Sequence, residues 1–256
     1  MQKVKIVSGW SNPGGSTIHH IGLTNLLNDA GYDCTFYGPH QWHLDRCKAA
    51  HISECKLSEE DILISHFIQP PPTKVKKHIL SCHETNLFPL KQIPTRPYDV
   101  VQFVSINQRD WHGVDVPSAI IPPRVDAISW KSPKNNVAGV IGSIDEHKQT
   151  HKAIALALND GFEKVLLFGQ ITDLPYFQER VQPLLGSVEV RNHEDDKEAM
   201  YGAVEAVYHA SKRETYGLVE AECKAAGVPF RGAENNPEIL TDEEILERWK
   251  RLLDLA

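Results

Sequence analysis

The chain has 256 residues, enough for one large domain or two of ordinary size, and its composition, 41% hydrophobic and 24% charged, is that of a globular protein. No apolar run reaches the roughly 18 residues of a membrane span, and the first residues lack the apolar core of a signal peptide. The formal charge of -7 lies in the second half, because Lys/Arg and Asp/Glu balance through residue 130, which argues against general nucleic-acid binding.

Residues 4–8 read as a short apolar strand, followed by a glycine-containing loop and a helix from about Ser16. Ile18, Ile21, Leu26, Leu27 and Ala30 recur there at helical spacing until Gly31 stops the helix. Strand, glycine loop and helix make a phosphate-reading or sugar-reading entrance in open α/β sheets. The loop is W-S-N-P-G-G, so the G-x-G-x-x-G fingerprint is absent and a nicotinamide enzyme is disfavoured. Residues 33–37, 62–65, 78–83, 100–105 and 119–121 read as further short strands of the buried parallel kind. Three prolines within residues 69–72 exclude a helix interior there. The strand H-I-L-S-C-H-E ends at His83-Glu84, at the carboxyl edge where open sheets place ligands. H-E-x-x-H is not met, since Leu87 occupies the second His position, and His40 and His43 lack a third ligand, so no metal site is expected. Nine of the thirteen histidines fall in this half.

The polar, turn-rich K-S-P-K-N-N at residues 131–136 reads as a linker, placing a boundary near Ser132 between domains 1–131 and 132–256. Strands at 137–141, 164–168, 188–191 and 206–209 alternate with helices at about 148–158, 175–182 and 197–201, the pattern of a second parallel sheet covered on both faces. Residues 211–216 read as a loop, Gly217 opens a helix, and Gly227 and Pro229 close it. The N–H groups of Gly217, Leu218 and Val219 point out of the helix start, where the dipole suits a diphosphate, and Glu214 and Glu222 bracket that entrance. A last helix over residues 242–255 carries Ile245, Leu246, Trp249, Leu252 and Leu253 at helical spacing. Five cysteines without a C-x-x-C pair suit reduced thiols in a cytoplasmic protein and make a zinc ribbon unlikely.

The stretch from residue 211 to 229 resembles the Glu-x7-Glu signature of GT-B glycosyltransferases of the family 4 type, E-x-F-G-L-x-x-x-E-A-x-x-x-G-x-P. Glu214, Tyr216 (for Phe), Gly217, Leu218, Glu222, Gly227 and Pro229 fall on it, with Cys223 at the usual Ala. Gly14, Gly15, His19, Leu23, Leu27 and Gly31-Tyr32 stand on that family's glycine-loop and helix pattern, and His83 falls where it carries a His-Asp or similar pair. Pro122, Val125, Asp126 and Trp130 resemble its crossing between domains. Gly142, Ile144 and Lys148 fit G-R-L-x-x-x-K-G, with Ser143 at the Arg and Gln149 at the last Gly.

The resemblance implies an α/β protein of two Rossmann-like domains with a cleft between them, the last helix returning toward the first. It implies a compact, retaining, metal-independent glycosyltransferase moving a sugar from a nucleotide-diphosphate donor to a hydroxyl on a glycan, lipid or small molecule. Glu214 would face the donor sugar, Lys148 the diphosphate, Glu222 the ribose, and His83 the acceptor or a phosphate. Gly14, Gly15, Ser143, Tyr216, Gly217, Leu218 and Val219 would complete the donor site, with the base near residues 190–193. Arg213, Lys212 or Arg124 would replace the guanidinium missing at Ser143. No cofactor beyond the donor is implied, UDP and GDP stay unresolved, and no nucleic-acid partner is expected. A sugar-nucleotide-binding module without transfer, and a phosphorylase or epimerase on the same fold, are the alternatives.

Overall fold

The computed structural model describes residues 2–11, 13–68, 71–85, 98–113 and 117–254. Residues 69 and 70 of the proline loop, Leu87 and Leu255 thus lie outside the described residues. In chain order the elements are β1 (Lys3–Ser8), α1 (Gly15–Asp29), β2 (Asp33–Gly38), β3 (Ala49–His51), β4 (Ile62–His66), β5 (Lys77–Cys82), β6 (Val100–Phe103), α2 (Ile106–His112) and β7 (Ser118–Ile120). There follow β8 (Val137–Ile141), α3 (Thr150–Asn159), β9 (Lys164–Phe168), α4 (Leu174–Tyr176), β10 (Val188–Asn192), α5 (Lys197–Gly202), β11 (Ala206–Tyr208), α6 (Leu218–Ala226), β12 (Phe230–Arg231) and α7 (Asp242–Asp254). The chain forms two compact units, Met1–Arg124 with Glu238–Ala256, and Val125–Pro237.

The first unit holds a parallel sheet in the order β3-β2-β1-β4-β5-β6-β7. The order reverses between β1 and β4, and in such sheets the loops leaving those two strands flank the ligand crevice. The core packs Val4, Ile6, Phe36, Ile62, Ile64 and Ile79 against Leu23 and Leu27 of α1 and against Ile245, Trp249, Leu252 and Leu253 of α7. α7 therefore closes the first sheet, as its apolar spacing predicts. Each such side chain, fully withdrawn from water, stabilises the unit by about 1.5–3 kcal/mol. α1 departs from its predicted stripe. Ile18, Ile21 and Leu26 are half-buried, and the buried face carries Thr17, His19, His20 and Thr24 beside Leu23 and Leu27. The helix turns polar groups inward near its start because that end meets a polar network at the carboxyl edge of the sheet.

The second unit repeats the logic with the parallel order β10-β9-β8-β11-β12, reversing between β8 and β11. One core faces α3 and another faces α5 and α6. The unit begins at Val125 rather than near Ser132. The reason is packing: Ile128 is buried with Leu166, Phe168, Tyr201 and Val204, and the Trp130 indole donates to the Val204 carbonyl at 3.2 Å. The helix expected at 175–182 is α4 continued by a π turn at Phe177–Val181 and a 3-10 turn at Gln182–Leu184. Among the described residues, no helix is long and apolar enough to cross a membrane.

Candidate functional site

In the second unit the loop leaving β8 is built around one carboxylate. Asp145 accepts the Ser143 hydroxyl at 2.6 Å, the Thr172 hydroxyl at 3.0 Å and the backbone N–H of Lys148 at 2.8 Å. Buried Ile144 anchors the loop, its N–H donating to the Gln170 carbonyl at 2.8 Å. Beside it Gly169 is obligatory, since a Cβ there would lie 1.8 Å from the Gly142 carbonyl oxygen. Gln149 then adopts φ 49, ψ 44 before α3, a left-handed conformation that glycine takes without cost. That is where the family pattern carries Gly.

The loop so fixed delivers Lys148 to Glu214, at the end of the loop leaving β11. Lys148 Nζ donates to Glu214 Oε1 at 2.6 Å, and His209, one residue past β11, places its Nε2 2.9 Å from the same oxygen. Burial alone raises a carboxyl pKa. Here the His209 hydrogen bond and the Lys148 charge outweigh it and bring Glu214 down to about 2. Glu214 is an anion at neutral pH, and its Oε2 has no protein partner among the described residues.

α6 begins just beyond, after Gly217 at φ 88. Its first internal bond runs from the Ala221 N–H to the Gly217 carbonyl, and the earlier N–H groups of the helix have no intrahelical acceptor. Glu220, buried in the first turn, is committed elsewhere: it accepts from the Asn235 and Asn236 backbone and pairs with Lys224. Tyr216 is buried, whereas Leu218 and Val219 are half-buried.

Glu222 is placed differently from Glu214. It is 3% exposed, and both oxygens are taken: Lys197 Nζ donates to Oε1 at 2.5 Å and Tyr201 Oη to Oε2 at 2.6 Å. Lys197 also donates to Asp126 at 2.6 Å. Burial lowers the Lys197 pKa, but the charges of Glu222 and Asp126 more than reverse this and raise it. Of the proposed replacements for the missing guanidinium, Lys212 is paired with Glu146 at 2.7 Å, Arg213 is tied by its carbonyl to His147 at 2.9 Å, and Arg124 is in the first unit, paired with Asp242 at 2.7 Å.

In the first unit, the ends of β1, β4 and β5 and the start of α1 assemble four histidines. His19 and His83 ring centroids are 4.7 Å apart, His20 and His66 4.9 Å, and His20 and His83 5.1 Å. His66 bridges Ser8 Oγ and Glu84 Oε1, each at 2.7 Å. Gln102 Nε2 donates to the Ile121 carbonyl, so its Oε1 takes the single proton of Ser81, and His20 and His83 both donate Nε2–H to Ser81 Oγ. His83 is left with Nδ1, an acceptor. Burial, reinforced by the charge on His66, pushes His19 down to about 3 and holds His20 well below the usual range, and burial followed by the neighbouring His19 and His20 does the same to His83. Gly14 and Gly15 form the N-terminus of α1 at the same edge, without a side-chain cap or acidic residue in the first turn. Among the described residues no group of three or more His, Cys, Asp or Glu has metal-binding geometry. His43 instead packs on Phe36 and bonds the Ala50 carbonyl, while His40 meets Trp10 edge-on.

Of the residues singled out in the sequence, then, Lys148 and Glu214 come into direct contact beside the start of α6, and Glu222 occupies a separate buried network. His209, Lys197, Tyr201 and Asp145 were not anticipated. Only His209 carried a signal, a strand-end position five residues before Glu214.

No protein-family model matches the chain, and no curated protein matches it by sequence. Solved structures do. AviGT4, a glycosyltransferase involved in avilamycin A biosynthesis, aligns with a TM-score of 0.64 at 18% identity over 98% of this chain and 88% of its own. Anabaena Alr3699/HepE in complex with UDP-glucose aligns at 0.69 and 13% identity over 98% and 90%. An α-glucosyltransferase bound to UDP and a 13-mer DNA with a central A:G mismatch aligns at 0.62 and 12% identity over 99% and 89%. At such identities the likeness establishes the fold, which is that of GT-B glycosyltransferases with two Rossmann-like domains.

Proposed function

We propose that the protein is a nucleotide-sugar-dependent glycosyltransferase of the family 4 type, retaining and metal-independent, with its donor site on the second unit. The observation that carries this reading is the Lys148–Glu214 pair beside the open start of α6. Departure of a nucleoside diphosphate builds negative charge, and an ammonium with a preorganised helix N-terminus offsets it without reorganisation. A carboxylate held ionised at the same place accepts hydrogen bonds from sugar hydroxyls. The UDP–glucose complex of HepE and the UDP complex of the α-glucosyltransferase support a nucleotide-sugar donor. Same-face attack assisted by the leaving phosphate fits a site that presents one carboxylate to the sugar, and no cofactor besides the donor is needed.

On the first unit His83 serves the acceptor rather than a phosphate. Its Nε2–H is spent on Ser81, and the remaining neutral nitrogen accepts a hydrogen bond from a hydroxyl but repels an anion. A binding module without transfer is the second reading, favoured by Ser143, whose hydroxyl is engaged by Asp145 where the family pattern has a guanidinium. Calorimetric titration with UDP, GDP, ADP and their glucose and N-acetylglucosamine conjugates tests the donor site. Selective binding lost in Lys148→Ala supports it, and no binding to any member overturns it. Release of nucleoside diphosphate with a hydroxyl acceptor, against none, separates transferase from binding module.

A further inference from the structure

We propose that His209 is the positioning residue that holds Glu214 once a donor has bound, an inference that rests on the donor-site reading above. In the structure two donors share Glu214 Oε1, Lys148 Nζ at 2.6 Å and His209 Nε2 at 2.9 Å. A diphosphate brings more negative charge than one carboxylate and competes for the ammonium, so the pair that orders Glu214 in the free protein is weakened in the complex. The imidazole meets no such competition. Its hydrogen-bonding partner is Glu214, and it is fixed from the other side by the β11–β12 edge. The His209 N–H donates to the Arg231 carbonyl at 2.8 Å, its ring lies 6.2 Å from that of Phe230, and the chain at Gly232 approaches so closely that a Cβ there would stand 2.6 Å from the His209 carbonyl oxygen.

His209 itself is 7% exposed, too deep to be a general surface contact for the nucleotide. Its place suits orientation: with Oε1 held from below, Oε2, which has no partner among the described residues, stays presented to the sugar while Lys148 turns to phosphate. The role therefore separates two parts of one ligand. Losing the imidazole should cost recognition of the sugar and leave recognition of the diphosphate.

The test uses His209→Phe, which keeps the ring volume without a donor, and His209→Gln, whose amide N–H replaces Nε2–H. Titrations compare UDP, GDP and ADP with their glucose and N-acetylglucosamine conjugates. For the base the wild type binds, His209→Phe is expected to bind the diphosphate within about threefold of wild type and the conjugate ~10-fold or more weakly, with turnover falling in parallel. His209→Gln is expected to recover most of the difference. Equal weakening of diphosphate and conjugate, or full conjugate affinity in His209→Phe, overturns the role while leaving the donor site standing. Wild type binding none of the panel overturns the donor site and the role with it. If His209→Phe fails to fold, His209→Gln decides alone: unchanged preference for conjugate over diphosphate supports the role, and loss of that preference at an unchanged melting temperature overturns it.

Discussion

Lys148 Nζ and Glu214 Oε1 stand 2.6 Å apart, joining the loops that leave β8 and β11, the two strands where the order of the second sheet reverses. The contact joins residues far apart in the chain through two loops that the sheet topology alone makes neighbours. Opposite charges at this spot order the site before any ligand arrives, which lowers the entropic cost of assembling it later.

Removing the ammonium tests this directly. Lys148→Ala is expected to weaken nucleoside diphosphate binding by ~10- to 100-fold, the range of a charge-assisted hydrogen bond of about 1.5–3 kcal/mol. Calorimetry on the variant and wild type at one salt concentration measures it. A loss under twofold would show that α6 binds the anion without Lys148.

The same carboxylate makes stability depend on acid. Glu214 has an ordinary value of 4.5 and is held at about 2 in the fold. Because the folded value is depressed, its contribution is present above the unfolded value and is lost as pH falls through 4.5 toward 2. The full shift corresponds to roughly 3 kcal/mol. Glu214→Gln should flatten the fall in urea midpoint between pH 5 and pH 3. An identical fall in both proteins would mean that other carboxylates govern the acid limb.

Two glycines provide a paired test of the loop leaving β8. Gly169→Ala drives a methyl into the Gly142 carbonyl at 1.8 Å, where backbone must move. Gly161→Ala meets nothing within 4 Å and suffers only its φ of 94. The first is expected to lose ~3 kcal/mol or more and to detach Lys148 from Glu214, and the second about 1 kcal/mol. Thermal melts of the two variants decide the ranking, and equal losses would refute it.

These sites were unequally legible in the sequence. Strands β8 and β9 coincide with their apolar runs, and α6 starts at the glycine that marked it, because local apolar spacing and glycine punctuation are near-neighbour signals. The inward face of α1 was not legible: His19, His20 and Thr24 look polar along the chain, yet His20 bonds Ser81, His19 packs its ring on that of His83, and the Thr24 hydroxyl donates to the His20 carbonyl within the helix. β3 and β12, of three and two residues, are strands only because longer neighbours supply their hydrogen bonds. Glu222 was legible as half of a motif, yet its partners Lys197 and Tyr201 come from α5, a separate helix that no spacing within α6 identifies.

The buried histidines should make the first unit acid-sensitive. His19 is held at about 3 and His20 well below 6.5, chiefly by burial and then by the charge of His66, with His83 and Glu84 completing their surroundings. Both folded values are depressed, so the stabilisation is complete above about 6.5 and declines as pH falls below it. Each histidine contributes a slope of about 1.4 kcal/mol per pH unit in that window. The urea midpoint should therefore drop between pH 7 and pH 5, and His20→Gln should reduce the drop. Hydrogen exchange assigns it: loss of protection confined to the second unit would contradict this account.

Glu222 offers the most informative contrast, because the role its motif resemblance implies and its surroundings pull apart. Resemblance places it on the ribose, whereas here Lys197 and Tyr201 occupy both oxygens at 2.5 and 2.6 Å. Glu222→Gln strips the charge from a buried pair and leaves Lys197 to Asp126, a change expected to cost ~3 kcal/mol. Tyr201→Phe removes one hydrogen bond from the same carboxylate while sparing its charge, at about 1 kcal/mol. If Glu222 exchanges one of these bonds for a ribose hydroxyl, Tyr201→Phe frees Oε2 and should bind nucleotide as well as wild type or better, while Glu222→Gln binds ~10-fold more weakly. Melting temperatures and titrations on the same preparations separate the two effects. Affinity that falls in both variants in step with stability would make Glu222 a structural carboxylate, and the ribose would then have to be read by other groups.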